Sequence, residues 1–212
     1  MTTYTHLIWD FNGTLFDDVD ACIQSANALL GAHSLPQITS PAEYRRLFGF
    51  PIIDYYRRMG FDFEQIPYST LAVEWMEYYH RYSAASKLYP NVRRTLEEIR
   101  TRGVKQLILS ASEKGLLLRQ VKEFCIYEYF DELLGLDNIH AHSKEALGTA
   151  WRCAHPNARI LFVGDTDHDA QVARAMGADC VLLTCGHQSP ETLRAAKPLR
   201  VLASIVDVLE LI

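Results

Sequence analysis

Read for polarity alone, the chain opens with a short apolar run, Leu7-Ile8-Trp9, that ends on Asp10 and passes into the polar turn Asn12-Gly13-Thr14. This pattern puts a charged side chain at the carboxyl end of a buried strand, where open parallel sheets bind ligands, and Gly13 lets the backbone pass close to an anion. From Asp17 to about Ser86 the apolar positions recur at helical spacing and predict helices alone. A helix over Asp17–His33 carries Val19, Ile23, Ala26 and Leu30 on one face, with an acidic start that suits its dipole. Ser40-Pro41-Ala42-Glu43 reads as a capping box with proline at the first helical position. Phe48-Gly49-Phe50-Pro51 breaks that helix, and another short one runs to Gly60. Leu71 to Ser83 places Leu71, Trp75, Tyr78, Tyr79 and Tyr82 on a helical stripe, which reads as helix-packing core rather than a ligand box.

After Pro90 strands and helices alternate. A helix over Asn91–Arg102 closes at Gly103, and the strand Val104–Leu109 follows. Next come a helix over Lys114–Phe124, a short apolar run at Leu133-Leu134 and a helix over Ser143–Ala154. The buried strand Ile160–Val163, a helix over Gln171–Met176 and a strand over Cys180–Leu183 complete the series. Such alternation implies right-handed βαβ units and a parallel sheet. The expected fold is therefore α/β, a Rossmann-like three-layer core of residues 1–16 and 87–212 around a central parallel sheet. Residues 17–86 form an inserted small all-helical cap domain, a lid over the carboxyl edge of that sheet.

Composition adds exclusions. With 212 residues, 49% hydrophobic and 22% charged, the chain reads as a soluble globular core with a sizeable insertion. A net charge of −5 gives no basic footprint for nucleic acid, so an anionic substrate needs local positive groups. Five cysteines form no C-x-x-C pair, which points to reduced thiols and no disulfide framework. No stretch approaches the roughly 18 apolar residues of a membrane helix, and a cytoplasmic protein is expected. Nothing in the sequence specifies an oligomeric state.

Three further segments belong beside Asp10 in such a core. Ser110 follows directly on a strand, and Ala111-Ser112 continues the turn, where a hydroxyl and backbone N–H groups suit phosphate oxygens. Lys144 opens a helix after a polar loop; a lone lysine there is ordinarily solvated. Gly164-Asp165-Thr166-Asp167-His168-Asp169 follows the strand Ile160–Val163. Three carboxylates so close together repel one another unless a cation or hydrogen bonds hold them, and with Asp10 they make an oxygen-rich site suited to Mg²⁺. The plainer reading of Asp167 and Asp169 is helix capping. His140 and His142, with His168, make no zinc site without a further ligand.

The string Asp10-Phe11-Asn12-Gly13-Thr14-Leu15 resembles the D-x-D-G-T-L signature of haloacid dehalogenase superfamily phosphatases, and the other segments resemble that superfamily's remaining motifs in order. Tyr44 to Pro51, Leu88 to Val92 and Gly186-His187-Gln188-Ser189-Pro190 are similar to segments of its phosphoglycolate phosphatase group. The resemblance implies an Mg²⁺-dependent hydrolase of small phosphorylated metabolites that works through an aspartyl-phosphate. In it Asp10 is nucleophile and metal ligand, Asp165 a second ligand, and Asp169 a direct or water-mediated support. Position 12 supplies a backbone carbonyl to the metal, while Ser110, Ala111 and Lys144 hold the phosphoryl group. Of the lid arginines, Arg45 or Arg46 is expected to grip a substrate carboxylate or second phosphate.

One residue departs from the signature. Its second aspartate, the general acid of the family, is Asn12 here, and a carboxamide donates a hydrogen bond but no proton. Losing acid–base assistance costs about 10²–10⁴-fold in rate. The substrate is then one whose leaving group needs no proton, or the chain is a slow phosphatase or a phospho-ligand-binding regulatory protein, or Asn12 is an introduced change. Phosphonate-cleaving relatives, which use a lid lysine, are set aside because residues 17–86 contain none; the acidic cluster argues against dehalogenases.

Overall fold

The computed structural model describes residues 4–136 and 143–212, so His140 and His142 lie outside the described residues. In chain order the elements are β1 (His6–Trp9), β2 (Phe16–Asp17), α1 (Val19–Ala32), α2 (Pro41–Leu47), α3 (Ile52–Arg58), α4 (Tyr68–Ser83) and β3 (Lys87–Leu88). Then follow α5 (Val92–Thr101), β4 (Lys105–Glu113), α6 (Lys114–Glu123), β5 (Glu132–Leu136), α7 (Lys144–Ala154) and β6 (Ile160–Gly164). The chain continues through α8 (Asp167–Ala175), β7 (Asp179–Leu183), α9 (Pro190–Ala195) and β8 (Arg200–Leu202).

Among the described residues six strands form one sheet in the order β5-β4-β1-β6-β7-β8, with every pairing parallel. Successive side chains of β1 enter opposite layers. Leu7 and Trp9 pack with Leu96, Ile99 and Leu117, while Ile8 packs with Leu107, Phe162 and Val172. Helices on both faces account for strands apolar on both sides. Trp9 buries a polar atom in this setting, and its Nε1 donates to Gln106 Oε1 at 3.1 Å.

The strand order reverses at β1: β4 lies on one side of it and β6 on the other. A crevice opens at the carboxyl ends of strands at such a switch point. Asp10 follows β1, Ser110 lies in β4, and Asp165 follows β6, so three adjacent strands deliver their ends to one place.

Helices α1 to α4 carry a separate apolar cluster that includes Leu29, Leu30, Tyr44, Tyr55, Tyr56 and Leu71. Here the sequence reading missed one feature. Phe16–Asp17 and Lys87–Leu88 pair as a two-stranded antiparallel ribbon where the helical segment leaves and rejoins the sheet. Two-residue strands are too short to show a period. Ser40 caps α2 by accepting from the Glu43 N–H, but the Glu43 carboxylate returns to the N–H and hydroxyl of Thr39 instead of closing the box on Ser40. β4 runs on to Glu113, past the expected turn at Ser110, with an irregular register against β5 between Leu109 and Glu113. α8 starts at Asp167, four residues before the apolar pattern shows it. α9 and β8, which follow the last expected strand, have too few residues for periodicity to reveal.

Candidate active site

Asp10 continues the β1 ladder, donating its N–H to the Val163 carbonyl at 2.8 Å, and its side chain emerges where the ladder ends. The segment then folds back sharply: the N–H groups of Leu15 and Phe16 both donate to the Phe11 carbonyl, and Gly13 adopts φ +72°. A Cβ at Gly13 would stand 2.4 Å from Asp165 Oδ2, so only glycine admits both the turn and the carboxylate behind it.

Four charged groups meet in this corner, all buried. Lys144 Nζ donates to Asp10 Oδ1 and, at 2.5 Å, to Asp169 Oδ1. The other Asp169 oxygen accepts from the N–H groups of Asp165 and Thr166 and from the Thr166 hydroxyl, closing a reciprocal capping box on α8. Asp169 thus caps α8 with one oxygen and pairs with Lys144 beside Asp10 with the other. Asp165 accepts from the Thr14 hydroxyl at 2.9 Å and from the His187 N–H at 2.8 Å.

The electrostatics follow from burial and pairing. Burial pushes the Asp10 carboxyl up to about 8 against the pull of Lys144, with Asp169 and Asp165 adding to the rise. Burial likewise raises Asp165 to about 6, opposed by the charge of His187. Asp169 stays below the usual carboxylate range because Lys144 and Thr166 outweigh its burial. Burial alone would lower Lys144, but Asp10 and Asp169 hold it well above the ordinary lysine value. One oxygen from each of Asp10, Asp165 and Asp169 lies within 4.8 Å of the others. Two carboxyls pushed upward in an all-oxygen cluster are what a hard divalent cation would relieve, so the donor set fits Mg²⁺.

Asn12 is tied on three sides. Its Nδ2 donates to Asp18 Oδ2 and to the Tyr79 hydroxyl, both at 2.8 Å, and its Oδ1 accepts from the Ser112 hydroxyl at 2.9 Å. Asp18 belongs to the acidic start of α1, yet its side chain makes no cap. It accepts from the Gly13 N–H at 3.0 Å and the Tyr79 hydroxyl at 2.7 Å, and pairs with His187 Nε2 at 3.3 Å. Burial opposes both charges of that pair, but their attraction prevails: His187 rises to about 9 and Asp18 falls below its usual range. His187 Nδ1 meets the Tyr44 hydroxyl at 2.9 Å, joining α2 to the site. The sequence places Ser112 in the turn after Ser110, Tyr79 on a packing stripe and His187 in a family-like segment, and assigns none of them, nor Asp18, to a network around position 12. The available signals are Asp18 close behind the glycine turn and Ser112 in the turn after Ser110.

A cavity of about 580 Å³ opens over this corner, and Asp10, Asn12, Ser110, Ala111, Lys144, Asp165 and Asp169 all line it. Arg45 and Arg46 do not. Arg45 donates to the carbonyls of Gly186 at 2.9 Å and Cys185 at 3.2 Å, and Arg46 is exposed. α2 turns Arg45 toward the 185–187 loop, whose carbonyls take its guanidinium, so neither arginine faces the cavity where the expected grip on substrate would be made. The aromatic stripe of α4 does more than pack. Leu71 and Tyr79 are core residues, and Trp75 and Tyr79 also line the cavity.

The molecule is thus a six-stranded parallel α/β protein with a buried Asp–Lys–Asp cluster at the switch point of its sheet. The family described as haloacid dehalogenase-like hydrolase matches residues 7–183, and the chain belongs to that family. It is 26% identical over 197 residues to the candidate pyrophosphatase PpaX of Caldanaerobacter subterraneus, covering 92% of this chain and 88% of that one. It is 24% identical to the phosphoglycolate phosphatase of Mannheimia succiniciproducens, covering 96% of each. The haloacid dehalogenase-like protein SP0104 of Streptococcus pneumoniae superposes with a TM-score of 0.83 at 21% identity over 99% of both chains, a likeness of fold. No helix among the described residues is long and apolar enough to cross a membrane.

Proposed function

We propose that the protein is an Mg²⁺-dependent phosphatase of small phosphorylated metabolites, with Asp10 as nucleophile. The observation that carries this reading is the meeting of Asp10, Lys144, Asp165 and Asp169 at the sheet's switch point. Asp10, Asp165 and the backbone carbonyl of Asn12 would hold the metal, with Asp169 supporting it. When bound, the cation neutralises phosphate charge and keeps the carboxylates ionised. Asp10 attacks phosphorus to give an aspartyl-phosphate, and water then releases inorganic phosphate. Lys144 and the hydroxyl of Ser110, beside the Ala111 N–H, hold the phosphoryl oxygens. Residues 17–86 act as the cap, since α3 and α4 supply the outer wall of the cavity. The names of the relatives suggest phosphoglycolate or a phosphoanhydride as substrate.

Asn12 favours a second reading, a phospho-ligand-binding protein without turnover, because its carboxamide carries no transferable proton. Incubation with Mg²⁺ and p-nitrophenyl phosphate separates the two, since nitrophenolate leaves unprotonated. Turnover that chelator and Asp10→Ala both abolish supports the phosphatase. Binding of phosphate analogues with no turnover of any activated ester supports the alternative.

A further inference from the structure

We propose that the substrate's leaving half is an uncharged aromatic ring, making this enzyme a phosphatase of aryl phosphate monoesters. The proposal rests on the phosphatase reading above and names the substrate class of that site. Away from Lys144 the cavity wall is built from rings: Phe50, Tyr55, Tyr56, Tyr68, Trp75 and Tyr79 line it. At about 580 Å³ it far exceeds the needs of a two-carbon acid.

Charge decides against a second anionic group. Among the described lining residues the basic side chains are Lys144, His168 and His187. Lys144 is taken by Asp10 and Asp169, and His187 by Asp18. His168 stacks on Phe50, with ring centroids 4.4 Å apart. Asp18 and Glu113 also line the chamber. The carboxylate of phosphoglycolate or the second phosphate of an anhydride would therefore meet no arginine, and no lysine other than the one that bridges Asp10 and Asp169.

Two buried polar atoms of the same wall, Tyr55 Oη and Trp75 Nε1, have no hydrogen-bond partner among the described residues.

Asn12 leads to the same class independently. In the first step an Asp10 oxygen bonds to phosphorus, the phosphorus–oxygen bond to the leaving group breaks, and its electron pair departs on that oxygen. A phenol ionises near 10, as tyrosine does, roughly five to six units below an alkanol-like hydroxyl. An aryl oxide therefore leaves without the acid that Asn12 cannot be, and takes its proton from solvent.

Intrinsic reactivity favours aryl esters with any catalyst, so the test must read binding. Calorimetric titration of the Mg²⁺-loaded protein with benzylphosphonate, methylphosphonate and phosphonoacetate compares a ring, a bare anion and a second carboxylate. Benzylphosphonate is expected to bind about tenfold or more tighter than the other two, the gain of burying a ring. Trp75→Leu, at a half-buried position, should remove most of that advantage and leave methylphosphonate unchanged. Met76→Arg, at an exposed position on the cavity edge, should raise phosphonoacetate affinity. Phosphonoacetate binding as tightly as benzylphosphonate to the unaltered protein overturns the aryl proposal, while turnover of p-nitrophenyl phosphate would leave the phosphatase reading standing. If no phosphonate binds and no ester turns over, both fall.

Discussion

The two halves of the cavity differ in what holds them. In the corner made by β1, β4, β6 and α7, Asp10, Lys144, Asp165 and Asp169 are ionisable and buried, and each has hydrogen-bonding partners at fixed distances. In the wall made by α3 and α4 the contacts are ring on ring, such as Trp75 against Tyr79 at 5.0 Å, and two polar atoms go unpaired. A low-dielectric corner of charges tolerates no missing partner, because each removal strands an opposite charge. A wall of rings gains by area, is non-directional and can be recut. On the proposed reading the first half sets the reaction, and the second is free to set which leaving group enters.

The contrast breaks hardest at Lys144. Lys144→Met leaves Asp10 and Asp169 without their shared cation, and we expect a loss of about 3–5 kcal/mol in unfolding free energy. Denaturant melts would show it; a loss below about 1 kcal/mol would mean the corner is not the strained charge cluster described. Metal acts on the same corner from the other side. Mg²⁺ at a hundred times its dissociation constant should stabilise the protein by about 2.7 kcal/mol, and Asp165→Asn should remove that gain. Thermal scans with and without chelator provide the comparison, and identical curves would count against a metal site at these carboxylates.

Position 12 lies on the seam. Asn12→Asp would set a carboxyl against Asp18 at the present 2.8 Å contact, and two such groups cannot both ionise. The new carboxyl stays protonated, the state a general acid requires. We expect kcat/KM for alkyl phosphates to rise about 10²-fold or more, and that for aryl phosphates to change much less. Intact-mass measurement of the unaltered protein should accompany the assay, because Asn12 precedes Gly13 and deamidation would yield the same aspartate. Equal gains for both ester types would show that the acid serves a step common to them. The smallest effect belongs to Arg45. Arg45→Met should cost about 1 kcal/mol through its lost bonds to Gly186 and Cys185 and leave KM unaltered for every accepted ester. A raised KM would return this arginine to the substrate.

Much of the reaction corner could be read from the chain because each of its residues is tied to an element boundary. Asp10 ends an apolar run, Asp165 follows another, and Lys144 begins a helix after Ser143, whose side chain caps it. Local pattern determines such boundaries, and the alternation of strands and helices determines that the boundaries share one edge of a sheet. The network around Asn12 was not legible in this way. Tyr79 lies 61 residues from Asp18, and Tyr44 lies 143 from His187, so no spacing rule links them. Arg45 shows the same boundary from the other side: its charge and its helix were evident, but its partners were not. Which way α2 faces, and which carbonyls it meets, depends on how the helical cluster docks against the 185–188 loop. Periodicity along a chain determines elements and their buried faces; the pairing of buried polar groups across elements is decided only when those faces meet, because each donor takes whichever acceptor the packing brings within about 3 Å.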